Sequence, residues 1–444
     1  MTKLFYIVVI IPHMIYAQQK GIQFEQKLSW KQVQEKANAE GKYIFVDCFA
    51  TWCGPCKTMD KNVFPLEKVG DYINAKFISV KLQMDTSKQD NGKIRTRYAD
   101  ARFMMQQYKI NAFPSFLFFS PGGRIVHRGL GLKNVDDFIT LASAACDSKK
   151  QYYTLLENYQ QGKKEYAIMP YLANLARTIG DQNMSNSIAQ DYINNYLMKL
   201  KEEELYTKEN IEFISSFIQS SKGKSFSLFY KQPCKIDKLM NRKEFSQCVV
   251  DYIITKEEID PKLWRNSNPK TPFRNSPNWN RITSIISKKF NSDYAERIVL
   301  NAKLKWLEYK KDWLEYSKNV VWKVEKYGPY EKYAPSYVIF SVDWKFNANA
   351  WDLFQHCTDT SVLTKALAWC DSAIKITPGP NVEYFDTYAN LLYKMGRIRD
   401  AITEEENAVK LEEENAAKDK RIPDKVYSET LTKIRKGEQT WPKQ

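Results

Sequence analysis

Trp52-Cys53-Gly54-Pro55-Cys56-Lys57 decides how the first third of this chain is read. It follows, after Ala50 and Thr51, the run Tyr43-Ile-Phe-Val-Asp-Cys-Phe49, which is continuous, rich in apolar and β-branched residues, and reads as a buried strand. A helix should then start near Cys53. Helix amino termini present unpaired N–H groups and a partial positive charge. That setting favours thiolate over thiol at Cys53, and thiolate is the attacking species in disulfide exchange. The two intervening residues put Cys56 one turn along, deeper but within bonding reach. Gly54 and Pro55 fix the turn. Cys53 and Cys56 are therefore read as a redox disulfide, with Cys56 resolving the mixed disulfide that Cys53 forms.

Working outward, Ser29-x-x-Gln32 is a capping box before a helix carrying Trp30, Val33 and Ala37, and Gly41 ends that helix. Phe77–Met84 reads as a second strand and Ser115–Ser120 as a third. Pro121-Gly122-Gly123 is a turn, Arg124–Arg128 the returning hairpin partner, and Val135–Cys146 a closing helix. The order makes an α/β domain with a mixed sheet flanked by helices. Asp47 stands out inside the apolar strand, because an acid there is costly to bury without a purpose.

These residues resemble thioredoxin and its secreted relatives over residues 22–147. The resemblance implies a thioredoxin fold and thiol:disulfide oxidoreductase activity without a cofactor. It gives Asp47 the role of a buried acid that relays a proton for the resolving thiol, and Lys81 the role of its partner. It makes Pro114 a cis proline against the active-site sulfurs, followed by the glycine-containing hairpin close at Gly129 and Gly131. Cys53, Cys56, Asp47 and Lys81 are the implied catalytic set. Trp52, Gly54, Pro55, Phe113 and Pro114 are the implied substrate contacts. Phe113 departs from the family, which usually places Thr before that proline. Residues 86–106 are longer than the matching connection and carry Arg95, Arg97 and Arg102 toward the border of the site. Met59-Asp60-Lys61-Asn62-Val63-Phe64 is more similar to the envelope members than to cytosolic thioredoxin.

The start of the chain has the pattern of a secretory signal over residues 1–17. Lys3 supplies charge, Leu4–Ile11 an apolar run and Ala17 a small residue for cleavage. An uncleaved membrane anchor is the alternative. Export to the periplasm is expected, with no stable membrane insertion after signal removal, since no other segment approaches ~20 apolar residues. The 8 cysteines of an exported chain permit structural disulfides. Cys234 with Cys248, and Cys357 with Cys370, are pairings the spacing leaves open, while Cys48 and Cys146 read as core. With only 3 His and no cluster, no metal site is expected, and His127 and His356 read as structural. The net charge of +15 is spread among acids, as in Lys199-Leu-Lys-Glu-Glu-Glu204. That mixture describes solvated helix faces and not a nucleic-acid groove.

From about residue 148 the periodicity turns helical, with helices predicted at Tyr166–Ile179, Met184–Lys201, Glu209–Ser220 and Glu244–Ile254. These fall in a helical domain at 148–260. Pro261, Pro269, Pro272 and Pro277 mark residues 261–280 as a linker or loop, followed by a helical region at 281–346. There Trp306, Tyr309, Trp313, Tyr316 and Val320 fall on one helical stripe, read as core packing with a peptide groove as the alternative. Near the end, Ala366 and Ala401, and likewise Ala373 and Ala408, are 35 residues apart. With Phe385, Ala389, Leu392 and Gly396 they resemble tetratricopeptide repeats over roughly residues 347–415, and a polar capping helix at 424–436 extends the repeat region to 347–436.

Two functions compete. One is an exported thiol:disulfide oxidoreductase, a reductase or isomerase, acting on disulfide-containing envelope proteins and resupplied by a membrane-linked thiol reductase. An oxidase of new disulfides is the variant separated from it by reduction potential. The other is a helical-repeat protein-binding scaffold in which the redox domain is subsidiary.

Overall fold

The computed structural model describes residues 21–265, 271–273, 276–330 and 341–442. The signal segment read at residues 1–17 lies outside them. The chain divides into two compact units, at Phe217 and Ile218.

The first unit is built on a sheet of five strands: β1 (Phe24–Glu25), β2 (Tyr43–Phe49), β3 (Phe77–Gln83), β4 (Ser115–Phe119) and β5 (Ile125–Leu130). Their order is β1-β3-β2-β4-β5, with β1 and β2 parallel to β3, and β4 antiparallel to both β2 and β5. Its helices are α1 (Trp30–Glu40), α2 (Gly54–Asn62), α3 (Glu67–Lys76), α4 (Gly92–Thr96), α5 (Tyr98–Gln107) and α6 (Val135–Ala145). The α/β mixed sheet is thus present, and the Ser29–Gln32 capping box opens α1 as read. The two-residue β1 was too short to be seen in the sequence, and α4 and α5 fill the long connection at 86–106.

Strand alternation sorts the core into two layers. Ile44, Val46 and Cys48 face α1 and α5 through Val33, Ala37, Ala101 and Met104. Phe45 faces α2, α3 and α6 through Met59, Ile73 and Phe138, within a cluster of phenylalanines. Phe45 stacks on Phe118 at 5.3 Å between centroids and meets Phe138 edge-on at 5.5 Å. Such pairs add about 0.5–1.5 kcal/mol each beyond their area. Asp47 shares the parity of Phe45 and so projects to the α2 side. Gly129 lets α6 lie close on β5, because a Cβ there would sit 2.3 Å from Leu141 Cδ2.

Edge strand β5 is covered by α7 (Tyr152–Gln160). The amide of Tyr152 donates to Nδ1 of the buried His127 at 3.0 Å. Burial lowers the His127 pKa to about 4, so the ring is neutral and able to accept. This is a structural histidine. α8 (Met169–Thr178) and α9 (Gln182–Asn195) then pack as a helical hairpin. The predicted 166–179 helix starts late, with Pro170 in its first turn. The predicted 184–201 helix ends early at Asn195, before a single 3-10 turn.

The second unit is helical. Asp260–Leu263 is a short helix, Trp264 forms an isolated antiparallel bridge with Pro272, and the next helix among the described residues is Trp279–Lys289. The stripe expected from Trp306 to Val320 does not lie on one helix. Ser292–Lys310 stops at Lys311, whose φ is 56°, and Asp312 caps a new helix, Trp313–Tyr327, by accepting the Glu315 amide. The stripe is therefore divided. Trp306 and Tyr309 pack on Trp264, whereas Trp313 stacks on His356 at 3.8 Å. Tyr316 and Val320 are buried, as core packing requires.

Toward the end come two helix pairs, Val342–His356 with Thr360–Ile376 and Val382–Lys394 with Ile398–Lys418, and then Lys425–Lys436. Ala366, Ala373, Ala389, Ala401 and Ala408 are all fully buried. Cys234, Cys357 and Cys370 are free thiols, so neither of the pairings left open by the sequence forms.

Candidate active site

The amino end of α2 carries the two cysteines. Cys53 is its N-cap in extended conformation, Pro55 sits in the first turn, and Cys53 Sγ accepts the amide of Cys56 at 3.1 Å. An N–H aimed at sulfur stabilises negative charge on it. Cys53 and Cys56 are joined as a disulfide, with Cα atoms 5.3 Å apart. Both residues are buried among Ala50, Phe49 and Phe113. Gly54 and Pro55 are exposed beside them, and Trp52 is 70% exposed.

Phe113, the departure from the family pattern, packs against the cysteines and meets Trp52 edge-to-face at 5.9 Å. The Phe113–Pro114 peptide is cis, and Pro114 is buried. The Pro114 carbonyl accepts the Gly131 amide at 2.9 Å, which ties the segment to the end of β5. The exposed Trp52 and the partly buried Phe113 thus form an aromatic rim on a mostly buried disulfide.

Behind the rim lies a chain of charges. Asp47 is 2% exposed, and its Oδ1 has no hydrogen-bond partner among the described residues. Its register partner on β3 is Lys81, whose Nζ is 3.8 Å from Asp47 Oδ2. Lys81 also pairs with Asp60 on α2 and lies 4.8 Å over the ring of Phe49. Burial pushes the Asp47 carboxyl up to about 7; Lys81 opposes the shift and the Asp60 charge adds to it. An acid poised near neutrality can hold or release a proton at physiological pH.

Two residues near the site were missed. Asp60 stands four residues after Cys56, one helical turn on, and that spacing was the available signal. Asp85, four residues after Lys81, accepts the Thr51 amide at 3.0 Å and also the Thr51 hydroxyl, fixing the chain just before Trp52. Arg95 donates to the carbonyls of Asp90 and Lys88, and Arg97 to those of Glu25 and Leu28. Both donate to backbone carbonyls, none of them within Trp52–Cys56, and Arg102 is exposed. Among the described residues no group of three His, Cys, Asp or Glu side chains could hold a metal.

Residues 30–145 match the family model for a thioredoxin-like domain. The chain is 35% identical over 103 residues to the thiol:disulfide interchange protein DsbD of Colwellia psychrerythraea, which covers 22% of this chain and 15% of that protein. It is 32% identical over 95 residues to thioredoxin AMT13 of Alternaria alternata, covering 21% of this chain and 65% of that one. A solved Bacteroides thetaiotaomicron protein, provisionally named a disulphide-isomerase, is 32% identical with a TM-score of 0.25, over 30% of this chain and 98% of its own. The chain thus spans only a small part of the DsbD relatives it matches. By family match, sheet order and the cysteine pair at the start of α2, residues 30–145 of this chain belong to the thioredoxin-like family.

Proposed function

We propose that the chain is a thiol:disulfide oxidoreductase that exchanges disulfides in envelope proteins through Cys53 and Cys56. The observation that carries this reading is the cysteine pair capping α2, with the Cys56 amide on Cys53 Sγ and an acid of near-neutral pKa on the adjacent strand. In the reducing direction, the Cys53 thiolate attacks a substrate disulfide and one substrate sulfur leaves as thiolate. Cys56, deprotonated with Asp47 as proton acceptor, attacks Cys53 Sγ and releases the second substrate thiol. The domain disulfide is re-formed, and two electrons have passed to the substrate. Lys81 holds the Asp47 charge when it is ionised. Trp52, Gly54, Pro55, Phe113 and Pro114 take the substrate segment.

Reductase or isomerase action needs a source of electrons, and a membrane-linked thiol reductase fits an exported protein. The DsbD relative, a thiol:disulfide interchange protein, supports that context. Export is read from the signal pattern ending near Ala17, with the periplasm as the compartment this reading proposes. No helix of the described residues is long and apolar enough to cross a membrane. The paired helices of residues 347–436 are read as tetratricopeptide-like repeats that recruit protein partners. The scaffold reading, with a subsidiary redox domain, is favoured only if substrate reduction proves negligible. Turnover of insulin disulfides decides: Cys53→Ser is expected to abolish it, and retained turnover in that variant refutes the assignment.

A further inference from the structure

The final helix, Lys425–Lys436, ends at Gly437, whose φ of 69° takes the left-handed turn that glycine accepts readily. Residues 438–442 beyond it have no regular secondary structure, yet they are held down. Trp441 is half-buried, with its ring 6.4 Å from Phe354 and 5.9 Å from Tyr393. Lys394 Nζ lies 5.1 Å over the same ring and donates to the Phe354 carbonyl at 2.5 Å. The Tyr393 hydroxyl donates to the Glu438 carbonyl at 3.1 Å. Trp441 bridges two apolar clusters. One runs through Leu353, Phe354 and Leu391; the other is Leu392, Tyr393, Ala401 and Ile434.

These are the contacts of peptide recognition. A single aromatic anchor fills an apolar seat, a cation lies on its face, and a side-chain hydroxyl reads one backbone carbonyl. Nothing in them requires the anchor to be covalently part of the chain. We propose that this seat is a docking site for an extended polypeptide segment of a partner protein, anchored by a tryptophan side chain, and that residues 438–442 occupy it in cis as an exchangeable stand-in. A few residues of linker give an effective concentration on the order of millimolar, so the tail holds its seat with weak intrinsic affinity. A partner segment that adds contacts beyond the anchor displaces it. The proposal is independent of the redox chemistry, since its readout is binding alone.

The test uses a fluorescein-labelled peptide of residues 437–442 and three receptors: the full chain, the chain ending at Gly437, and full-length Trp441→Ala. Fluorescence anisotropy is expected to show binding to the truncated chain and to Trp441→Ala, and binding about tenfold or more weaker to the full chain. A peptide with alanine in place of its tryptophan is expected to lose binding to all three. Circular dichroism first establishes that the receptors are folded, and Trp441→Ala serves if the truncated chain is not. If folded receptors with an emptied seat fail to bind at millimolar peptide, the proposal is overturned. Equal binding to the full chain, or by the alanine peptide, overturns it as well.

Discussion

Asp47 is costly to the fold, and the cost depends on pH. Its carboxyl is buried, one oxygen lacks a partner among the described residues, and its folded pKa is raised to about 7 from an ordinary 3.8. Between these values the folded state binds more protons than the unfolded chain, so stability falls as pH rises and is flat above about 7. Asp47→Asn keeps the shape and removes the titration. Thermal melts are expected to show no gain near pH 4 and a gain on the order of 2–4 kcal/mol at pH 8. An equal gain at both pH values contradicts the burial argument. In catalysis the proposed role of the acid, serving the second thiol, predicts that the same variant slows release of reduced substrate on the order of 100-fold while sparing the first attack. Stopped-flow resolution of the two half-reactions checks this. Asp60→Asn, in contrast, removes a neighbouring negative charge and leaves Lys81 to Asp47 alone, so the Asp47 titration followed by NMR should move to lower pH. Asp47 was legible in the sequence because an acid in an apolar strand is conspicuous. Asp60 and Asp85 were not, since acids in polar stretches look alike until folding supplies Lys81 and Thr51 as their partners.

At the scale of elements, legibility followed the strength of the local signal. The run Tyr43–Phe49, the capping box and the Pro-Gly-Gly turn each have one physical interpretation, and each element formed where read. The Trp306–Val320 stripe failed because periodicity continued across a cap. Asp312-x-x-Glu315 is itself a helix-start signal, and it outweighed the repeated heptad. Close packing makes β5 and α6 sensitive to volume. Gly129→Ala drives a methyl into Leu141, and thermal melts are expected to show a loss of about 1–3 kcal/mol. In the second unit Glu405 is fully buried, and desolvation, reinforced by the neighbouring Asp386 charge, raises its pKa. Stability there should fall as pH rises above the ordinary carboxylate range, because the folded state holds the proton more tightly. Glu405→Gln is expected to raise the melting temperature at pH 9 and to leave it nearly unchanged at pH 5.

On the scale of the whole chain, composition foretold a redox-bearing α/β part and a helical remainder but gave no mark of where the units divide. Of the prolines at 261–277, Pro261 lies in the first turn of a short helix and Pro272 in a bridge to Trp264, both inside the second unit. The division at Phe217 falls beside an amphipathic helix with no shift in composition. The structure also shows that a fragment cut at residue 147 loses α7 and bares β5 and His127, so the first unit is better tested as a chain ending at Phe217. If the remaining helices recruit partners, that fragment should match the full chain within about twofold on a small disulfide and lose rate only on a cognate protein. A marked rise on the small compound would instead mean that the second unit shields the site.

The central claim is that Cys53 is the attacking thiol, and mixed-disulfide mapping tests it most directly. Cys53→Ser and Cys56→Ser are each reduced, freed of reductant and exposed briefly to glutathione disulfide, and their peptides are mapped by mass spectrometry. Mapping is needed because Cys234 and Cys248 are exposed to the reagent. Glutathione should load rapidly onto Cys53 in the Cys56→Ser chain, well ahead of Cys234. Cys56 in the Cys53→Ser chain should load slowly. Loading of Cys56 as fast as Cys53, or of Cys53 no faster than Cys234, would contradict the account.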